Sequence, residues 1–471
     1  MPTERSRGQP SWVFPCALLA ALAFTVGRHV GPPGPLYWDS FAYVGQAVTG
    51  RVGGLLLGRP AWVLAAHLAV SLARALGATV AVAEPLLRYL CLATSALAAP
   101  LTARLSLAAG LSPREAWWAG LVVALSPAAG HAAFAALTDG PAMTLSLAAL
   151  TCAATGRWAA AGALAGLSAG VREPSLAVLV PCALLAWREP RRARCLLALS
   201  LGASVVLALV AAWALTTQPG WWQGLSRWRE AMQAEREAHH HGLRDLGHYA
   251  LWVLCLGPAA VCAALLTDRA RFSPSRWKAF ALWAPAMAQL ALLALYQDIA
   301  YAPRYLLGVF PCAVALPAGV RLARSAHPWR WLLALGLPAI LAGPYLRHRE
   351  LPLRRALDET PSRLRALPPG ALVVTGQPCP AVTLTRTLAL EDPRWWGGAP
   401  PSWRVLCPAW GRAEPVSVTL FRARREGVFV VLDDRPGVWV GPGQRALRAE
   451  VLRWASALGD PPAPPVYSVL R

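Results

Sequence analysis

Asp39 is the residue of this chain that is best placed for acid–base chemistry. It stands in the stretch Pro35 to Tyr43, where two tyrosines, a tryptophan and a phenylalanine surround the carboxylate. Carboxylates are scarce before residue 348, and an ionisable side chain at the edge of an apolar segment is a functional candidate. Aromatic rings such as that of Tyr43 suit contact with a sugar ring or a lipid tail. We therefore treat Asp39 as a candidate base. The alternative is a helix N-cap, since Asp and Ser commonly begin helices.

The composition indicates the elements that must position this residue. Of the 471 residues, 56% are hydrophobic and only 15% are charged, and the mean hydropathy is +0.41. These values are typical of a membrane protein with several spanning helices. The net charge of +21 does not indicate nucleic-acid binding, because the arginines form short clusters between apolar segments rather than one stripe. Such clusters are typical of cytoplasmic loops in membrane proteins.

The apolar segments predict an all-α bundle of about eleven spans. The segment 53–76 is interrupted by charged residues, and we interpret it as a helix lying in the outer interface. With that count, the basic loops 188–194, 268–278 and 321–330 all fall on the inner side, as the distribution of arginine in membrane proteins requires. The spans are predicted at roughly 12–30, 84–106, 115–130, 140–156, 158–171, 174–187, 195–217, 248–267, 279–297, 304–322 and 329–346.

The same topology gathers the ionisable side chains of the bundle at one face. A cluster of acids, arginines and histidines on the outer side of an apolar bundle is typical of an active site. The residues concerned are Asp39, His131, Asp139, Arg172, Glu173, Asp298, Arg304 and the loop 218–247.

The composition changes after Tyr345, and the long apolar runs end. Buried strands are predicted at 371–375 and 428–432, and helices at 381–390 and 444–458. The sequence therefore predicts two domains: a transmembrane catalytic domain, 1–347, and a small soluble α/β domain, 348–471. By the parity of the spans the second is extracytoplasmic, and its Cys379 and Cys407 are then candidates for a disulfide.

Four short motifs, in this order, resemble those of the GT-C membrane glycosyltransferases. They are Tyr37 to Tyr43, Leu137 to Pro141 at the start of an apolar helix, Gly170 to Pro174, and Arg304 to Leu307. The most similar branch is the group of protein O-mannosyltransferases and aminoarabinose transferases. The resemblance extends over residues 11–347, whereas the C-terminal domain carries no comparably specific motif.

The resemblance implies transfer of a sugar from a polyprenyl-phosphate carrier to an acceptor hydroxyl at the outer face, with inversion. Asp39 matches the acidic motif of the family's first outer loop, which implies that it takes the proton of the acceptor. Arginine grips phosphate oxygens bidentately, so Arg304 and then Arg172 are the candidates for the leaving phosphate. Tyr305 and Tyr43 lie beside these residues in the motifs and are further substrate-binding candidates. The family's first loop often carries paired acids, whereas here Ser40 follows Asp39.

The remaining site candidates each have a structural alternative. Asp139 has several functional roles open to it, namely binding the acceptor, positioning a divalent metal, tuning the base or supplying the second acid. At a helix N-terminus it is also favourable without any catalysis. Arg304 and Arg172 each have the alternative of only holding a helix end at the lipid headgroups. Glu173 either belongs to the substrate site with His131 or neutralises its neighbour Arg172.

Cofactor motifs are absent from the sequence. It contains no Walker loop, no G-x-G-x-x-G after a strand, no G-x-S-x-G and no zinc motif. The run His239 to His241 is predicted as a solvated loop, because consecutive imidazoles do not converge on one ion. A divalent metal is thus the one cofactor left open, and no metal ligand is assigned.

The predicted partners are a polyprenyl-phosphate-linked sugar, an acceptor that is a protein, lipid or polysaccharide, and membrane lipid, with no nucleic acid. The alternative function is a transporter or flippase of a polar or lipid-linked solute. Transporters tend to show internal repeats and charges near the bilayer midplane, whereas the charges here gather at one face. A scaffold that only displays the outer domain would leave those charges unexplained. The predicted location is the cell membrane.

Overall fold

The computed structural model describes residues 12–32, 38–52, 59–221, 223–224, 226, 257–267, 310–376, 379–397, 401–406, 416–433, 442–456 and 467–470. By its internal contacts the chain divides into two compact units. The first contains Met1–Pro32, Gly50–Ala66 and Pro85–Leu346. The second contains Pro33–Thr49, His67–Glu84 and Arg347–Arg471, so two segments of the N-terminal half are grouped with the C-terminal region.

The described residues that precede the sheet are mainly helical. Short 3-10 segments lie at Val80–Val82 and Glu173–Val178, and a π-helical turn lies at Pro311–Ala315. The α-helices are α1 (Val13–Val30), α2 (Trp38–Thr49), α3 (Pro60–Ala75), α4 (Ala83–Ala96), α5 (Ala98–Ala108), α6 (Pro113–Ala124), α7 (Pro127–Phe134), α8 (Asp139–Ala154), α9 (Trp158–Val171), α10 (Leu179–Trp187), α11 (Arg192–Thr217), α12 (Pro258–Leu265), α13 (Leu316–Ala323) and α14 (Pro328–Arg365).

The apolar helices are those of a multi-pass membrane protein. In the part of the chain that the structure describes, Val13–Val30, Val80–Ala108 and Arg192–Thr217 are long and apolar enough to cross a bilayer. The bent pair of α7 and α8 adds a fourth if the two helices count as one span. The predicted span at 279–297, and most of those at 248–267 and 304–322, lie outside the described residues.

The predicted span at 115–130 is not one helix. Helix α6 ends at Ala124, and α7 begins at Pro127, where the Ser126 side chain accepts a hydrogen bond from the backbone N–H of Ala129. Proline is favoured in the first turn of a helix because it has no N–H to leave unpaired. The Ser-Pro pair therefore begins a new helix inside an apolar run whose hydropathy alone shows no break.

Small residues let neighbouring helices of the first unit approach closely. Helices α8, α9 and α11 pack side by side. A Cβ atom at Gly162 of α9 would lie 1.9 Å from the carbonyl oxygen of Leu199, and one at Gly202 of α11 would lie 2.3 Å from that of Ala159. Backbones at this separation admit only glycine, which is the usual basis of helix packing within a membrane. Helix α9 also packs against α8, and the hydrogen bond from Ser168 to Ala142 places the end of α9 beside the start of α8.

The second unit contains a parallel sheet of four strands. They are β1 (Leu372–Val374), β2 (Arg404–Leu406), β3 (Val430–Asp433) and β4 (Tyr467–Leu470), in the order β2-β1-β3-β4. The connecting helices are α15 (Cys379–Glu391), α16 (Pro393–Trp396), α17 (Val416–Arg425) and α18 (Pro442–Ser456). The strands predicted at 371–375 and 428–432 correspond to β1 and β3, and the predicted helices correspond to α15 and α18.

Alternate residues of the strands point to opposite faces of the sheet. Leu372 and Val374 of β1 pack in a cluster with α17 and α18, whereas Val373 packs in a cluster with α15, α16 and the end of α14. Both faces are thus covered, and the two central strands, β1 and β3, are accordingly apolar up to Asp433 at the end of β3, as buried parallel strands usually are. The side chain of Thr375 donates a hydrogen bond of 3.0 Å to Asp433, which joins the ends of β1 and β3.

Candidate active site

A sharp bend between α7 and α8 places Asp139. The two helices meet at 113°, and Ala136 in the turn between them has a φ of +56°. A non-glycine residue in the left-handed region is strained, and such strain is often found near functional sites. The turn makes Asp139 the first residue of α8, where the free backbone N–H groups favour an acid. The predicted helix start at this residue is confirmed.

Arg172 meets Asp139 from the end of α9. Its backbone is extended, with φ −156° and ψ +118°, and its N–H donates to the carbonyl of Ser168 at 2.8 Å. The Nη1 atom of Arg172 lies 2.8 Å from Oδ1 of Asp139, and each residue is only 4% exposed. The two therefore form a buried ion pair.

Serine side chains hold α8 and α9 together behind this ion pair. Ser168 of α9 is fully buried, and its hydroxyl donates to the carbonyl of Ala142 in α8 at 2.9 Å. Its oxygen also lies 2.9 Å from the hydroxyl of Ser146. Because Ala142 and Ser168 lie one turn from Asp139 and Arg172 respectively, these bonds fix the spacing of the ion pair.

Glu173 has a neighbouring charge on another segment. A carboxylate oxygen of Glu173 lies 3.9 Å from Nε of Arg59, the residue that directly precedes α3. The side chain of Glu173 is 34% exposed and that of Arg59 is 11% exposed. This pair is longer and more exposed than the one between Arg172 and Asp139. The structure therefore presents two ion pairs of different character at adjacent residues.

His131 of α7 and Arg88 of α4 bind backbone carbonyls at the ends of α1 and α7. Nδ1 of His131 donates to the carbonyl of Val30, at the end of α1, over 3.0 Å. Nε of Arg88 in α4 donates to the carbonyl of Phe134 at 3.2 Å, its Nη2 donates to that of Pro32, and its guanidinium lies 4.0 Å from the centre of the Phe134 ring. These contacts hold the ends of α1 and α7, next to the bend that precedes Asp139.

Sequence reasoning missed Arg88. The residue is 8% exposed and lies inside the predicted span 84–106. An arginine within an apolar run is rare and usually has a specific partner, so its position in the run was the available signal. Its partners are backbone carbonyls and the face of an aromatic ring, and residue types alone do not identify such partners.

Asp39 and Tyr43 lie on α2, in the second unit. Asp39 is in the first turn of the helix and is partly exposed, whereas the Tyr43 side chain is completely buried. Phe41, between them, is 6% exposed and packs against Ala381 and Leu384 of α15. The N-cap interpretation of Asp39 placed it just before the helix, whereas the helix begins at Trp38.

The structure thus brings together some of the predicted site residues. Asp139 meets Arg172, whereas Asp39 and Tyr43 belong to the other unit. Within the described ranges, no group of three or more His, Cys, Asp and Glu residues is arranged to hold a metal ion. The predictions for Asp298, Arg304, Tyr305, the histidines at 239–241 and Cys407 fall outside the described residues.

The fold is similar to that of known membrane glycosyltransferases. The crystal structure of ArnT from Cupriavidus metallidurans bound to undecaprenyl phosphate superposes with a TM-score of 0.52 at 15% identity, covering 90% of this chain and 93% of that one. The apo structure of the same protein gives a TM-score of 0.50 with the same identity and coverage. The predicted resemblance to the GT-C class is thereby confirmed at the level of the fold.

A third solved structure is more distant. It is an oligosaccharyltransferase from Archaeoglobus fulgidus tethered to an acceptor peptide, with a TM-score of 0.48 at 12% identity, covering 89% of this chain and 69% of that one. No protein-family model matches the sequence, and no curated protein matches it by sequence.

Proposed function

We propose that this protein transfers a sugar from a polyprenyl-phosphate donor to an acceptor hydroxyl at the outer face of the membrane. The observation that carries the proposal is the likeness in fold to ArnT, which extends over nine-tenths of both chains and includes a structure with undecaprenyl phosphate bound. The apolar helices suit a donor whose tail lies in the bilayer. We assign catalysis to the transmembrane domain, residues 1–347, and place the domain of residues 348–471 outside the cell.

The proposed reaction is a single displacement. The acceptor oxygen attacks the anomeric carbon as the bond from that carbon to the phosphate oxygen breaks, and the configuration inverts. A base takes the hydroxyl proton, and the polyprenyl phosphate leaves with the electron pair. We assign the base to Asp39, because it stands in the acidic motif Tyr37 to Tyr43 and its carboxylate is partly exposed.

The leaving phosphate requires cationic groups. The ion pair with Asp139 makes Arg172 the weaker of the two arginine candidates. The charge of Arg172 is compensated by Asp139 at 2.8 Å, so it contributes less to phosphate binding than an arginine without a carboxylate partner would. We keep Arg304, the first candidate from the sequence, as the principal phosphate ligand. Among the roles open to Asp139, holding Arg172 in place is the one that their contact favours. Tyr43 is buried and supports α2 in this scheme.

The decisive experiment is Asp39→Asn, assayed in membranes with a panel of polyprenyl-phosphate sugars. Loss of a general base lowers the rate by about 10²- to 10⁴-fold, and we expect that loss while the protein still accumulates in the membrane. Asp358→Asn is the matched control, since Asp358 is an exposed aspartate on α14. Normal transfer by Asp39→Asn would refute the assigned base, and failure of the wild-type protein with every donor would refute the function.

The proposed location of the C-terminal domain is tested by labelling. In intact cells, a thiol reagent that does not cross membranes should modify Asp358→Cys, an exposed position, above the background of the parent chain. Cysteine in place of Glu189, in the predicted inner loop, should react only after the cells are opened. Labelling of Glu189→Cys alone in intact cells would place the C-terminal domain inside.

A further inference from the structure

Helix α15 of the C-terminal region carries an apolar surface that does not face its own sheet. Val382 and Ala389 of α15 pack in a cluster with Val373 and Val431 of the sheet. Ala381 and Leu384 instead pack against Phe41 of α2. A helix that lies over a sheet usually keeps its other face polar. The second apolar surface is therefore matched to α2, which lies far earlier in the chain.

The contact involves one face of α2. Phe41 and Gly45 are one turn apart and so lie on the same side of the helix. Phe41 is 6% exposed, and a Cβ atom at Gly45 would lie 3.6 Å from Cδ1 of Leu384. Asp39 is two residues before Phe41, which is about 200° around the helix axis. The carboxylate therefore points away from the face that α15 covers.

Other contacts in the same unit hold the far end of α2 and the segment that follows it. Nδ1 of His67, in α3, lies 2.8 Å from the carbonyl oxygen of Ala47. Arg74 of α3 donates to the carbonyl of Glu391, the last residue of α15, at 3.4 Å, and the backbone N–H of Val80 donates to Asp392 at 3.4 Å. Helices α2, α3 and α15 thus form a closed set of contacts, and α15 is fixed to the sheet.

We propose that Phe41 is a positioning residue, and that α15 of the C-terminal region fixes the direction of the Asp39 carboxylate through it. This inference rests on the proposed function, in which Asp39 is the base. The C-terminal region then has a positioning role in the reaction and is not a separate display module. A small rotation of α2 would move the carboxylate from the acceptor hydroxyl, and misplacement by about 1 Å can cost 10²-fold in rate. Donor binding is not expected to depend on this contact.

The test uses the full-length protein with Phe41→Ala, Leu384→Ala and the control Val382→Ala. The control also truncates a buried side chain of α15, but on the face towards the sheet. We expect Phe41→Ala and Leu384→Ala to lower kcat by about 10- to 100-fold while KM for the lipid donor changes less than 2-fold. Val382→Ala, in the fraction that remains folded, should keep kcat within 3-fold. Phe41→Leu, which keeps an apolar side chain in the contact, should recover most of the rate.

Two further measurements keep the outcome clear. The double variant Phe41→Ala/Leu384→Ala should be no slower than the worse single variant, because both act through one contact. Amide hydrogen exchange in α2 should rise in Leu384→Ala and not in Val382→Ala. Equal kcat losses in Leu384→Ala and Val382→Ala, or faster exchange in α2 without a loss of kcat, would overturn the positioning role. Full transfer by Asp39→Asn would instead overturn the assigned base, whatever these variants do.

Discussion

Asp39 and Asp139 occupy the same local position in two different regions of the molecule. Each is an acid in the first turn of an apolar helix, α2 in one unit and α8 in the other. Their surroundings differ. Asp139 is 4% exposed and lies 2.8 Å from Arg172, whereas Asp39 is partly exposed on a helix that is otherwise largely buried.

The difference shows what a helix start can and cannot indicate. The N-terminal end of a helix favours any acid, so position in the first turn does not by itself identify a base. The negative charge of Asp139 is compensated by the Arg172 guanidinium, and both groups are buried. Such a pair has a structural role. Asp39 is partly exposed, as the proposed base must be. We therefore expect the two aspartates to respond oppositely to removal of the charge, one mainly in stability and the other mainly in rate.

The largest expected effect is on the ion pair in the first unit. Arg172→Gln and Asp139→Asn should each lower the free energy of unfolding by about 3–5 kcal/mol, because each leaves a buried charge without its counter-ion. The double variant Asp139→Asn/Arg172→Gln should recover most of that loss. The purified protein is heated in detergent, and the fraction that stays monodisperse is recorded at each temperature. The loss in the single variants and the recovery in the double variant are both measured in this way.

Asp39→Asn is the matched substitution in the second unit. Its carboxylate is partly exposed, so the same measurement should show a change below about 1 kcal/mol, as for most surface substitutions. Two results would remove the distinction between the two aspartates. In one, the double variant Asp139→Asn/Arg172→Gln loses as much unfolding free energy as its two single variants together. In the other, Asp39→Asn loses as much as Asp139→Asn.

Local chemistry explains which features the sequence could predict. The start of α8 at Asp139 follows from the acid and Pro141 in the first turn, and β1 and β3 follow from short runs of apolar residues, because these signals are contained in a few neighbouring residues. The 113° bend could not be read from the sequence, since it depends on an alanine, Ala136, in a conformation that usually marks glycine.

The sequence named candidate residues for the site but did not predict the contacts between them. Apolar runs identify charged residues worth attention, but they do not say which charges meet. Arg172 was expected to have Glu173 as a neutralising neighbour, and the structure shows it paired with Asp139. The contact of Phe41 with Ala381 and Leu384 joins segments from opposite ends of the chain, and side-chain contacts at that sequence separation leave no periodic pattern.

An effect of intermediate size is expected on KM for the lipid donor, and it distinguishes Arg304 from Arg172. Arg304 is the proposed phosphate ligand, although it lies outside the described residues. Arg304→Ala should raise KM for the lipid donor by about 10- to 100-fold, since hydrogen bonds to a charged group are worth roughly 1.5–3 kcal/mol. Initial rates in proteoliposomes at varied donor concentration give the value.

The appropriate reference for Arg304→Ala is the stable double variant Asp139→Asn/Arg172→Gln. It lacks the Arg172 guanidinium without leaving a buried charge, and we expect its KM for the donor to rise less than that of Arg304→Ala. The reverse order would mean that Arg172, despite its carboxylate partner, is the main phosphate ligand. The Arg172–Asp139 site would then be catalytic in the same sense as Asp39.

The smallest expected effect concerns Glu173, which directly follows Arg172. Its carboxylate lies 3.9 Å from Arg59 and is 34% exposed, so Glu173→Gln should change the free energy of unfolding by less than about 1 kcal/mol. Added salt should weaken the pair, because solvent-accessible charges are screened. Glu359→Gln, which removes the exposed pair with Arg363 on α14, is the matched control in the same thermal assay. If Glu173→Gln were as destabilising as Arg172→Gln, burial would not determine how much a charge contributes to stability. The difference in burial would then no longer be a reason to expect different effects from Asp139→Asn and Asp39→Asn.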